Sequence, residues 1–194
     1  AFLVCFVAWV WRRSSVALVL LSAGLLASLA LTGHAVMDLG WLSVMHPLNQ
    51  ALHLLAAGFW LGSLVPLSLF LAGAASWRME QSGVDRALRR FSDLAMIAVL
   101  LVIGSGVFNA WLLVGSPSAL LATSYGKVLL VKMAFVGAMV VLALLNRFFL
   151  LPALAMQRGV ALSGLERNVM LEIVLGAVVL AVASTLGNVP PAQM

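Results

Sequence analysis

Six apolar stretches separated by short polar ones order this sequence: residues 2–11, 16–32, 47–71, 91–114, 125–150 and 168–187. Each complete stretch approaches the ~20 residues that an α-helix needs to cross the hydrocarbon of a bilayer. Membrane-spanning strands would instead alternate polar and apolar positions over short segments. The pattern therefore predicts an all-α fold, a polytopic transmembrane bundle of about six helices. The first stretch is short, and the chain opens at Ala1 inside it. It reads as a transmembrane helix trimmed at its start, since no small-residue cleavage site marks a signal peptide. Residues 12–15, 33–46, 72–90, 115–124 and 152–167 are left as connectors.

Composition supports this class: 64% of residues are hydrophobic and 9% charged, so much of the surface must face lipid. A net charge of +5 raises nucleic acid as a partner, but the placement of the charges excludes it. Arg12, Arg13, Arg78, Arg86, Arg89, Arg90, Arg147, Arg158 and Arg167 fall in or beside alternate connectors, whereas Lys127 and Lys132 lie toward the opposite ends of the helices. Positive residues mark the cytoplasmic side of membrane proteins. The partner is thus the lipid bilayer, and the 33–46 connector and the C-terminal tail are expected to face outward. A single cysteine, Cys5, precludes an internal disulfide.

Candidate chemistry concentrates in that outward connector and the helix after it. All three histidines, His34, His46 and His53, occur there, accompanied by Met37, Met45 and Asp38. Imidazole with thioether suits Cu(I), and imidazole with carboxylate suits Cu(II) or Zn(II). His46 and His53 are seven residues apart and share one helix face, but are separated by ~10 Å of rise. That is too far to share one ion easily, so they read as successive stations, with Gln50 between them. Lys132 lies at a depth similar to that of His53, which suggests a polar pocket. Near the inner ends, Asp93, Arg147 and Glu172 come from three helices at comparable depth and are expected to form a structural ion cluster. Asn109 and Asn146 are expected to make helix–helix hydrogen bonds.

Two other readings of the histidines remain. Facing imidazoles from two helices, His34 with His46 or His53, could ligate haem b in a redox protein. A membrane assembly subunit would use them for no small-molecule chemistry. No phosphate loop, nucleophile elbow or paired-histidine zinc motif is present, and nothing points to an enzyme.

Several pieces occur in a telling order. They are R-R-F-S-D-L-A at 89–95, I-G-S-G-V-F-N-A at 103–110, T-S-Y-G-K-V-L-L-V-K at 123–132 and N-R-F-x-L-x-P at 146–152. L-E-I-V-L-G around Glu172 and P-P at 190–191 follow. Upstream stand T-G-H-A at 32–35 and H-L-L-A-A-G-F-W-L-G at 53–62. With these pieces the chain resembles the CopD (copper-resistance protein D) family of bacterial inner-membrane proteins. The resemblance divides the chain into N-terminal transmembrane helices with the histidine loop, 1–88, and a CopD-like region, 89–191. It implies a copper ion bound at the periplasmic face and moved across the inner membrane, beside a periplasmic copper-binding protein of the CopC type. His34 and His53, which lie in family-like motifs, then rank first. Capture would fall to His34 and His46, receipt to His53, and charge tuning to Lys132.

Overall fold

The structure, a computed structural model, describes residues 15–31, 40–76 and 80–187. The expected first helix, the C-terminal tail and Cys5 lie outside these residues. The described residues form helices α1 (Ser15–Ser28), α2 (Leu42–Ser76), α3 (Gln81–Val114), α4 (Pro117–Ala122), α5 (Ser124–Leu145), α6 (Leu151–Ala153) and α7 (Arg158–Leu186). A 3₁₀ turn, Leu29–Leu31, follows α1, and a π-helical segment, Asn146–Leu150, joins α5 to α6. Four stretches are long and apolar enough to cross a membrane: Leu42–Ala74, Gln81–Val114, Ser124–Ala153 and Arg158–Leu186.

The chain divides into two compact units, Ala1–Leu55 and Ala56–Met194. In the first, α1 exposes Val16, Val19, Leu20 and Leu25, as expected of a helix meeting lipid, and Ala30 is buried after it. The start of α2 is set by a turn at Gly40, whose φ of 67° suits a residue without Cβ. Ser43 N–H donates to the Gly40 carbonyl.

The second unit is an up-and-down bundle, its antiparallel order imposed by short connections. The remainder of α2 and helices α3, α5 and α7 bury Trp60, Leu64, Leu88, Val99, Met139 and Val169 in one core. Val107, Trp111, Phe148, Phe149 and Leu180 remain outside, an apolar exterior suited to lipid. The far end is closed by Val114, Tyr125 and Leu186.

Four of the expected connectors prove to be partly helical: α2 begins at Leu42, α4 fills 117–122, and two other extensions are longer. α3 begins at Gln81 instead of residue 91, and α7 at Arg158 instead of residue 168. The added turns are amphipathic: Val84 and Leu88, and Ala161 and Leu165, point into the core at helical spacing. Charges such as Arg89 and Arg90 on the outer face conceal these turns from a search for unbroken apolar runs. An ion pair between Arg158 and Asp85, at 2.7 Å, ties the two extensions together.

The connector before α5 is fixed by local chemistry. Gly115, with φ of 73°, ends α3 and donates its N–H to the Trp111 carbonyl at 3.0 Å. Ser116 caps α4, and Pro117 occupies its first turn, where a missing N–H costs nothing. The Thr123 hydroxyl accepts from Gly126 N–H at 3.0 Å. A Cβ on Gly126 would collide with the backbone of Ala119 and Leu120, so only glycine lets α4 lie this close to α5.

Candidate functional site

Two polar constellations stand out among the described residues. The first is in the first unit, on the opening turns of α2. There the polar residues take the sheltered face: His46 is only 3% exposed, and Asn49, Gln50 and His53 are half-buried. Val44, Leu48 and Leu52 take the exposed face. A soluble helix would do the reverse, so this is the amphipathicity of a helix with lipid outside and polar groups inside. His46 and Gln50, and Asn49 and His53, are each four residues apart and therefore neighbours along the face. Met45 is 43% exposed and sits on the other side of the helix. His34, Met37 and Asp38 lie outside the described residues. Among the described residues no group of three or more His, Cys, Asp or Glu side chains is placed to hold a metal ion.

The second constellation lies inside the bundle of the second unit. Glu172, 2% exposed, stands midway along α7. Its carboxylate accepts from Asn146 Nδ2 at 2.9 Å and from the side chain of Trp60. Asn168, four residues before Glu172 and on the same face of α7, donates Nδ2 to Asn146 Oδ1 at 2.8 Å. That bond fixes the Asn146 amide with its NH₂ toward the acid. The network thus joins α2, the π segment and α7.

The π segment explains how Asn146 gets there. Pro152 cannot donate to the carbonyl one turn back and crowds it, and the helix responds by widening. Leu151 N–H reaches back five residues to the Asn146 carbonyl. The wider turn turns Arg147 toward α3, where Nη1 donates to Asp93 Oδ1 at 2.8 Å and Ser92 Oγ at 3.1 Å. Of the three residues expected to cluster, Asp93 and Arg147 therefore meet, and Glu172 bonds to amide and indole groups instead. A cavity of about 50 Å³, lined mostly by apolar side chains such as Leu88 and Val99, reaches Trp60, Ser92, Asn146 and Glu172 at its polar edge. Lys132 is half-buried, on α5 of the same unit.

Residues 85–186 match the family described as Copper resistance protein D, and residues 1–44 match its N-terminal domain. The chain belongs to the copper resistance protein D family. Three relatives are similar along most of the chain. Inner membrane protein YebZ of Escherichia coli (strain K12) is 37% identical over 84% of this chain and 55% of its own length. Copper resistance protein D of Pseudomonas syringae pv. tomato is 35% identical over 89% of this chain and 58% of its own. Copper transport protein CutJ of Bacillus subtilis (strain 168) is 32% identical over 86% and 29%. The chain thus spans little more than half the length of the first two. No solved structure matches it.

Within the copper resistance protein D match, Trp60 falls upstream, whereas Ser92, Asn146, Asn168 and Glu172 fall inside. Sequence reasoning singled out Asn146 and Glu172 but overlooked Trp60, Asn168 and Asn49. Asn168 carried a usable signal, a second polar residue one turn from an intramembrane acid. Trp60 carried none, because an indole in an apolar run is ordinary core material until its N–H partner is located.

Proposed function

We propose that this member of the copper resistance protein D family is a multi-pass inner-membrane protein that binds copper at its histidine-bearing end and moves it across the membrane. The observation that carries the reading is the inverted polarity of α2, with His46, Asn49, Gln50 and His53 sheltered and Val44, Leu48 and Leu52 outside. A polar face sheltered within an apolar helix is the arrangement that an ion site or a path through a membrane requires. The names of two relatives, a copper resistance protein and a copper transport protein, supply the cargo.

His34 and His46, aided by Met37, Met45 or Asp38, take the ion at the surface, and His53 receives it about 10 Å deeper, two helical turns on. Imidazole ligands accept either oxidation state of copper. Lys132 sets the charge along the way, because a cation passing near an ammonium is repelled unless water or an anion screens it. The arginine-rich ends lie in the cytoplasm and the histidines in the periplasm, within reach of a CopC-type copper-binding protein. In this reading residues 1–88 supply capture and residues 89–191 the rest of the passage.

The test is copper content by mass spectrometry, with an absorption spectrum, on detergent-purified protein and its His34/His46/His53 triple alanine variant. Stoichiometric copper lost in the variant is the expected result. Equal copper in both, or none in either under loading conditions, overturns the reading. A histidine-dependent Soret band would move the protein to the haem class instead.

A further inference from the structure

Glu172 presents a problem of charge. An ionised carboxylate inside a membrane bundle persists only when something neutralises it. One candidate cation, Arg147, follows Asn146 directly, yet its guanidinium is engaged by Asp93 and Ser92. Among the described residues Glu172 makes no ion pair. Its hydrogen bonds come from two neutral donors, the Asn146 amide and the Trp60 side chain. A carboxylate offers about four lone-pair positions, more than these two donors fill. Glu172 also borders the cavity of about 50 Å³. A water needs roughly 10–15 Å³ of such space and a few polar partners, which this cavity offers at its Glu172, Asn146 and Ser92 edge. Ser92 borders the same cavity and touches Arg147, which pairs with Asp93, a side chain 63% exposed.

We propose that Glu172 is a proton-binding site, loaded and unloaded from the cavity that it borders with Ser92, toward the arginine-rich end of the bundle. Unloading transfers one proton from the Glu172 carboxyl to water. It leaves a carboxylate held by the Asn146 and Trp60 donors, and loading reverses each transfer. The charged and titratable groups around the site are few. The Ala56–Ala74 part of α2 brings none. α3 contributes Asp93 beyond Ser92 and the exposed Arg89 and Arg90, the π segment contributes Arg147 beside Asn146, and α5 carries Lys127 and Lys132 in its first half and no charge from 133 to 145. On α7, Glu166 and Arg167 are exposed one to two turns away. The Trp60 and Asn146 donors, the latter held by Asn168, keep the carboxylate in place without an arginine.

Infrared difference spectroscopy on the full chain in lipid nanodiscs, recorded as pH is varied, reads the carboxyl directly. The expected result is a protonated-carboxyl C=O band that vanishes as pH rises and shifts in D₂O. E172Q should lack it, D93N should keep it, and W60F, which removes one donor from the carboxylate, should move its midpoint. Circular dichroism checks that each variant is helical; if E172Q does not fold, E172D serves instead, and its carboxyl band should move in frequency and midpoint relative to wild type. Wild-type and E172Q spectra that superpose in the carboxyl region overturn the proposal. So does a band that D93N abolishes, or one that answers to added metal and not to pH.

Discussion

At the residue scale, the bonds around Glu172 sort by what each loss would expose. Asn168→Leu removes the donor to Asn146 Oδ1 and leaves a partly buried carbonyl without that bond, which costs about 1 kcal/mol or more. Thermal unfolding in detergent should show a lowered midpoint for Asn168→Leu and a smaller change for substitution of exposed Ser163. Two glycines make a parallel contrast. Gly126→Ala drives a Cβ into the Ala119 and Leu120 backbone, which cannot yield, whereas Gly164→Ala meets only the end of the Leu150 side chain, at 3.1 Å. The first should sharply reduce the yield of folded, monodisperse protein on size-exclusion chromatography, and the second should leave it near wild type. Glu172 was legible in the sequence because an acid in an apolar run has no cheap reason to be there. Its partners were not, because hydrogen-bond partners on separate helices depend on how those helices are turned.

At the element scale, the amphipathic first turns of α3 and α7 depend on packing more than on charge. Leu88→Ala empties a fully enclosed position and should cost about 2–5 kcal/mol. Asp85→Asn breaks the 2.7 Å pair with Arg158, but both side chains are partly exposed, 31% and 24%, so the loss should stay below about 1 kcal/mol and shrink further in high salt. Denaturant or thermal melts at two salt concentrations separate the two effects. These turns were missed as helix because apolar run length detects only the part of a helix that lipid surrounds. Periodicity at Val84 and Leu88, and at Ala161 and Leu165, is the signal that recovers them. The π segment was not legible: Pro152 announces a disturbance, but whether a helix kinks, stops or widens depends on its neighbours.

At the scale of the whole molecule, arginine placement predicts an orientation that accessibility can check. In a background with Cys5→Ala, cysteine at Ser116, beside α4, should react with a membrane-impermeant maleimide added to intact bacterial spheroplasts. Cysteine at Ser82, beside the arginines of α3, should react only after permeabilisation. The opposite pattern would invert the proposed direction of copper capture. Both serines are exposed at helix ends, so labelling reports on the side of the membrane and not on burial.

Membership in a helical membrane family, the places of the four long spans and the unusual burden of histidines at one end were determined by the sequence alone. Each depends on composition or order along the chain, which lipid solvation reads directly as hydrophobic length. Tertiary structure decided which polar groups meet. Arg147 went to Asp93 and not to Glu172, and Glu172 went to Asn146 and Trp60. Those choices turn on the rotation of each helix about its axis and on one widened turn before Pro152, which are set by the packing of all four helices together.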